Sequence, residues 1–143
     1  MENFTLATAE SCTGGLVASR FTDLSGASKY FKGGVVAYTN EIKKSVLRVK
    51  AETIETFGAV SSQTALEMAT NVRKIFSATI GLSTTGVAGP LTSEGKPVGL
   101  VYAAIVGEDF SEVKEFHFTG SRTEIKFQAA DEVFNLLMRH VTA

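Results

Sequence analysis

Thr8-Ala9-Glu10-Ser11-Cys12-Thr13-Gly14-Gly15 is a run of small and polar residues set where a strand should turn into a helix. Ahead of it, Phe4-Thr5-Leu6-Ala7-Thr8 reads as a short buried strand; behind it, Leu16, Val17, Phe21 and Leu24 recur at helical spacing, and the helix is expected to end near Thr22. A helix N-terminus carries unpaired N–H groups and about half a positive charge, so it is a natural seat for hydroxyls and anions. Ser11 and Thr13 stand at that end, and Gly14 and Gly15 leave room for a ligand to approach the backbone. Two readings are open here: a plain helix cap, or part of a binding site.

The same pattern repeats outward. Tyr30-Phe31-Lys32-Gly33-Gly34-Val35-Val36-Ala37-Tyr38 reads as a strand, and Asn40 as the N-cap of a helix carrying Glu41, Lys43, Lys44, Val46 and Leu47. A short helical piece, Ala51 to Phe57, precedes the turn Gly58-Ala59-Val60-Ser61-Ser62, which ends in a hydroxyl cap. Ala65, Met68, Ala69, Val72, Ile75 and Phe76 then mark an amphipathic helix. Ala78 to Thr85 is the third strand, closed by Gly86-Val87-Ala88-Gly89-Pro90; a long polar loop runs to Lys96-Pro97. Val98 to Val106 is almost wholly apolar, as a strand buried on both faces requires. Glu112 to Phe118 alternates, as an edge strand does, and Thr123 to His140 reads as a helix with Ile125, Phe127, Ala130, Val133, Phe134, Leu137 and Met138 toward the core.

Interleaved helices and strands predict a single three-layer α/β/α domain over residues 1–143, with a mixed, mostly parallel sheet. Small polar residues follow the first three strands. If those strand ends face the same way, they line one pocket, because open sheets bind ligands beyond such ends.

Composition narrows the function classes. At 143 residues, 44% hydrophobic and 20% charged, the chain belongs with ordinary globular domains. A net charge of −1 argues against nucleic acid as a partner. A lone cysteine, Cys12, gives neither an internal disulfide nor a metal-binding spacing and fits a reducing cytoplasm; no metal and no cofactor is expected. No apolar run reaches the roughly 20 residues that span a bilayer, and Met1-Glu2-Asn3 lacks the basic start of a secretory signal, so a cytoplasmic location without membrane contact is expected.

Ser11 and Cys12 are the candidate nucleophiles, and neither attacks well until a base removes its proton. His117 lies in an alternating strand and His140 near the C-terminus, which makes both poor partners. Lysine is the remaining base. Lys43 falls on the first turn of the helix after Asn40, where the positive helix end and partial burial both favour a neutral amine; Lys44 is the solvated counterpart. The Tyr38 hydroxyl is placed to donate to an oxyanion or to orient Lys43. Thr84, Thr85 and Gly86 offer hydroxyl and N–H donors to a substrate or simply cap the turn. Lys96 and Arg122 are the best cations for an anionic group, or surface charges.

Ala9-Glu10-Ser11-Cys12-Thr13-Gly14-Gly15, Gly34 through Lys43, Gly58-Ala59-Val60-Ser61, Gly86-Val87-Ala88-Gly89-Pro90 and Lys96-Pro97-Val98-Gly99 occur in this order. Together they resemble the CinA C-terminal domain family, the nicotinamide-nucleotide amidohydrolases, over nearly the whole chain. The resemblance implies deamidation of nicotinamide mononucleotide, with Ser11 as nucleophile, Lys43 as base and Tyr38 in support, and no metal. Cys12, Thr13, Gly14, Thr85, Gly86 and Lys96 are the expected substrate-binding residues, with backbone N–H groups near Cys12 and Thr13 facing the oxyanion. Three departures stand out. The family's helix ahead of the first strand is missing, the loop after Gly89-Pro90 runs Leu91-Thr92-Ser93 instead of Asp-Gly-Gly, and the N-terminal pyrophosphatase domain of many relatives has no counterpart. An uncovered face suggests a homodimer. The rival readings are a non-catalytic nucleotide-binding or partner-regulating domain of the same fold, and Cys12 as the nucleophile.

Overall fold

The computed structural model describes residues 3–141; the Met1-Glu2 start, read above for a secretory signal, lies outside them. In chain order the elements are β1 (Leu6–Glu10), α1 (Leu16–Thr22), β2 (Phe31–Val36), α2 (Asn40–Ser45), α3 (Ala51–Phe57), α4 (Ser62–Ile75), β3 (Ile80–Gly86), β4 (Leu100–Val106), β5 (Ser111–His117) and α5 (Arg122–Val141). A 3-10 turn, Ala27–Lys29, leads into β2.

The strands form one five-stranded sheet in the order β2-β1-β3-β4-β5. β1 pairs in parallel with β2 and β3, whereas β4 is antiparallel to both of its neighbours. Thus β4 alone runs against the other strands, and the sheet is mixed but mostly parallel, as the interleaved pattern predicts. Because β1 is buried on both faces, its residues divide by the period of two. Leu6 packs with Ile80, Leu82 and Ile105 beneath Val17 and Phe21 of α1 and Val133 and Leu137 of α5. Ala7 and Ala9 face the other way, toward Met68 and Val72 of α4. The helices therefore lie on both faces, giving three layers.

Close packing on the α4 side depends on small residues. A Cβ at Gly81 of β3 would run into the Ala69 carbonyl of α4, so glycine is what lets the helix rest directly on the strand. The hydroxyl of Ser83 donates to the Ala65 carbonyl at 2.6 Å, tying the same two elements.

The joint between β1 and α1 is capped differently from what the sequence suggests. The strand continues to Glu10, and α1 starts at Leu16 behind a left-handed Gly15 (φ 103°) that supplies no side-chain cap. The cap comes from the strand. Glu10, only 1% exposed, accepts from the Val17 N–H at 2.8 Å, the Ala18 N–H at 3.0 Å and the Thr13 hydroxyl at 2.6 Å. A buried carboxylate is tolerable there because the helix N-terminus supplies both donors and favourable potential. Neither Ser11 nor Thr13 caps α1, and the Val17 and Ala18 amides of its first turn are already occupied.

Other boundaries shift for identifiable reasons. Thr39, not Asn40, caps α2, its hydroxyl accepting from the Ile42 N–H at 3.3 Å, and α2 ends at Ser45, which leaves Val46 and Leu47 beyond it. Phe127 and Met138 are about half exposed, while Ala129 and Leu136 are buried. Phe127 lies under the Arg20 guanidinium, 5.2 Å from its ring centre, which gives an outward aromatic ring a partner.

Replacing Glu10 by alanine strands the buried N–H groups of Val17 and Ala18. The expected cost is about 3 kcal/mol of stability, read as a lower urea midpoint with the slope unchanged. A loss below about 1 kcal/mol would show that the carboxylate is not what holds the joint.

Candidate active site

Because β1, β2 and β3 are parallel, their C-terminal ends emerge along one edge of the sheet. β1 is joined to β2 through α1 on one face, and β2 is joined to β3 through α4 on the other. The connections on the two sides of β1 thus run over opposite faces of the sheet, and a crevice opens beyond the ends of β1 and β3. A cleft of about 290 Å³ lies there, lined by Ser11 and Cys12 after β1, Tyr38 after β2, Lys43 of α2, Thr85 and Gly86 of β3, and Arg122 of α5. A larger, more open groove of about 730 Å³ runs along the outside of α4 past Arg48, Lys50 and Lys74, and it contains neither candidate nucleophile.

Each wall of the cleft has a structural reason for its place. The Ser11 N–H donates to the Thr84 carbonyl at 3.1 Å, which fastens the turn after β1 to β3. The Thr13 hydroxyl bridges Glu10 and the Thr84 hydroxyl, 2.8 Å away, and is fully buried. Thr13 is therefore a strut behind the cleft, not part of its lining. Gly14 also lies outside the lining, and its open side faces Lys126 of α5. The Thr85 hydroxyl lines the cleft but donates to the Ala59 carbonyl at 2.8 Å.

Lys43 is 2% exposed, and its amine donates to the Tyr38 backbone carbonyl at 3.2 Å. Burial drives its pKa down from 10.5, against smaller opposing contributions from Cys12 and Glu94. Desolvation is the largest cause; α2 is too short, at six residues, for the helix-end effect expected from sequence to carry much weight. Lys44 beside it is exposed, as anticipated. Tyr38 contributes differently from its expected role: its carbonyl orients Lys43, while its hydroxyl accepts from Arg122 Nη2 at 2.6 Å.

Cys12 shares the lining with Ser11, but burial pushes its thiol up to about 12. It faces the Thr84 hydroxyl and an apolar cluster of Ala88, Val101, Ile125 and Ala129. At neutral pH it is a thiol, not a thiolate, and so a poor nucleophile.

Lys96 was expected to bind substrate, yet its amine is consumed elsewhere and it does not line the cleft. It donates to the carbonyls of Phe57, at 2.8 Å, and Val60, and pairs with Glu94 at 3.5 Å. The loop that read as long and polar is a tight reversal: Ser93 and Lys96 form an antiparallel bridge around Glu94 and Gly95, both with positive φ. Glu94 is then pinned to the loop before α4, accepting from the N–H groups of Ala59 at 2.8 Å and Val60 at 3.0 Å. Burial raises its pKa, but those amides and Lys96 more than offset this and hold the carboxyl below the usual carboxylate range. Leu91, Ser93 and Glu94 close one side of the cleft, a wall not visible in the sequence because its anchors come from residues about 35 positions earlier. Among the described residues no group of three or more His, Cys, Asp or Glu side chains is arranged to hold a metal ion, and no helix is long and apolar enough to cross a membrane.

Comparison with known proteins gives a consistent result. The family model of the CinA C-terminal domain matches residues 1–141. The chain is 50% identical over 137 residues to a CinA-like protein of Syntrophomonas wolfei, covering 95% of this chain and 33% of that protein. It spans about a third of the length of the curated relatives it matches. Among solved structures, the competence damage-inducible protein A (ComA) of Klebsiella pneumoniae superposes with a TM-score of 0.95 at 31% identity, over 98% of this chain and 88% of that one. The competence/damage inducible protein CihA of Agrobacterium tumefaciens gives 0.92 at 39% identity, over 96% and 85%.

A buried thiol titrating at about 12 should resist alkylation. Iodoacetamide at pH 8 is expected to leave Cys12 unmodified in the folded protein and to label it after unfolding in urea, as followed by intact mass. Rapid labelling of the folded protein would return Cys12 to the list of nucleophiles.

Proposed function

This chain belongs to the CinA C-terminal domain family, and from that premise we propose that it hydrolyses the carboxamide of nicotinamide mononucleotide, releasing ammonia and nicotinate mononucleotide. The observation that carries the proposal is Lys43: a buried lysine with a lowered pKa, facing the same 290 Å³ cleft as Ser11. Among the described residues Lys43 makes no ion pair, and a lysine so placed, taken out of water, is suited to accept a proton and to return it.

In this reading Ser11 Oγ attacks the carboxamide carbon while neutral Lys43 takes the hydroxyl proton. The carbonyl oxygen becomes an oxyanion in the tetrahedral intermediate. The Cys12 amide, which has no backbone carbonyl partner among the described residues, is the donor available to it at the turn after β1. Lys43 then gives its proton to the departing nitrogen, the C–N bond breaks, and ammonia leaves an ester on Ser11. Water attacks that ester, Lys43 accepts a proton from it, and the proton returns to Ser11 as the acid departs. In the free protein the Lys43 amine rests on the Tyr38 carbonyl, which holds it at the cleft wall until a substrate arrives. Ser11 is preferred to Cys12 because the thiol is held un-ionised.

Ammonia release from nicotinamide mononucleotide, with chelator present, tests the proposal. Ser11→Ala and Lys43→Ala are each expected to lower kcat by about 10³-fold or more, with melting temperatures close to that of the starting protein. No ammonia from the unmodified protein would refute the reaction, and a fully active Ser11→Ala would refute the mechanism.

The pH profile carries a separate expectation. A base must be neutral to act, so kcat/KM should rise with pH along a single ascending limb whose midpoint lies below the ordinary lysine value of 10.5. Lys43→Arg, which stays charged, should abolish that limb together with the activity.

A further inference from the structure

Charge in the cleft is unevenly distributed. Glu94 is matched by Lys96 and by the amides of Ala59 and Val60. Arg122, by contrast, forms no ion pair among the described residues. Its guanidinium is held by two neutral acceptors: Nη1 donates to the Gly89 carbonyl and Nη2 to the Tyr38 hydroxyl at 2.6 Å. A guanidinium has five N–H donors, so three are left for a ligand.

Its place in the helix is also unfavourable for stability. Arg122 is the first residue of α5, a helix of twenty residues, where the macrodipole disfavours a cation. The capping there is done by its neighbours: the Ser121 hydroxyl accepts from the Glu124 N–H at 3.2 Å and the Glu124 carboxylate accepts from the Ser121 N–H at 2.9 Å. Arg122 contributes nothing to that cap. What the two neutral contacts accomplish is to fix a permanently charged, planar fork between the ends of β2 and β3, on the rim of the cleft.

We propose that Arg122 is the anchor for the phosphate monoester of a nucleotide bound in this cleft, and the residue that separates phosphorylated from unphosphorylated substrates. This deepens the reading of the site given above and rests on it for the identity of the rest of the ligand. The fork of N–H donors matches two oxygens of one phosphate, a geometry that an ammonium cannot reproduce. The sequence offered Lys96 and Arg122 as cations for an anionic group, with Lys96 the expected substrate-binding residue; the structure favours Arg122, because the Lys96 amine is spent on Phe57, Val60 and Glu94.

Two matched pairs of ligands test the assignment in wild type, Arg122→Gln and Arg122→Lys. Binding of ribose 5-phosphate and of ribose is measured by calorimetry, and kcat/KM is measured for nicotinamide mononucleotide and nicotinamide riboside. Wild type should prefer the phosphorylated member of each pair. Arg122→Gln should lose about 30-fold of that preference in both, mostly through KM in the kinetic pair, and Arg122→Lys should keep part of it. A wild type that binds ribose 5-phosphate no better than ribose overturns the assignment, whatever happens to the variants. So does a folded Arg122→Gln or Arg122→Lys protein that keeps the full preference. Preference for ribose 5-phosphate that depends on Arg122, in a protein releasing no ammonia, would sustain the phosphate anchor and remove the deamidase reading. Ammonia release with a preference indifferent to Arg122 would do the reverse.

Discussion

The carboxylate of Glu10 is the contact from which the rest of the site follows. It sits at the end of β1, buried, and draws in two amides of α1 and the hydroxyl of Thr13. Thr13 in turn meets Thr84 of β3, and the Ser11 N–H meets the Thr84 carbonyl. One acidic side chain thereby fixes the start of a helix, the turn that carries Ser11, and the alignment of two neighbouring strand ends. It also decides the electrostatics. With Glu10 in place the positive end of α1 is already neutralised, so the cleft cannot rely on that helix to hold an anion. Positive charge has to come from side chains.

The parallel pairing of β2, β1 and β3 does the remaining positioning. Three turns leave the same edge of the sheet, and each delivers one kind of group: Ser11 from the first, Tyr38 from the second, Thr85 and Gly86 from the third. Lys43 is reached from the second turn because a helix begins at once, capped by Thr39, and swings its fourth residue back over the Tyr38 carbonyl. The reversal at Glu94 closes the open side by gripping the loop in front of α4. Residues far apart in sequence share a cleft because strand direction leaves them no other place to meet.

Much of this was legible in the sequence, and the limits have physical causes. Periodicity located every strand and the long helices to within a few residues, since burial on one or two faces leaves a direct record in side-chain polarity. The strand-to-helix joint is legible, and Ser11 and Thr13 read there as a cap or as site residues because hydroxyls are common caps; a carboxylate reaching forward from a strand leaves no local signal. Phe127 and Met138 lie on the correct helix yet point outward, an error of rotation that a broad apolar stripe on α5 invites. Ser11, Cys12, Tyr38, Lys43, Thr85 and Gly86 meet in one cleft, whereas Thr13, Gly14 and Lys96 do not. The failures share a feature. Each of those residues was judged by its type and its neighbours in sequence, while its partner (Thr84, Lys126 or Phe57) belongs to another element.

Lysine and arginine divide the cleft between them for reasons intrinsic to the two side chains. Arginine keeps its charge under any condition a protein meets, so Arg122 is fitted to hold an anion and unfitted to move a proton. Lysine loses its charge when water is removed, so Lys43, at 2% exposure, is fitted to the opposite task. Burial does that work for Lys43, lowering its pKa against the smaller opposing contributions of Cys12 and Glu94. Tyr38 links the two, with its hydroxyl on Arg122 and its carbonyl on Lys43. A single residue at the end of β2 thus sets the spacing between the group that holds and the group that reacts.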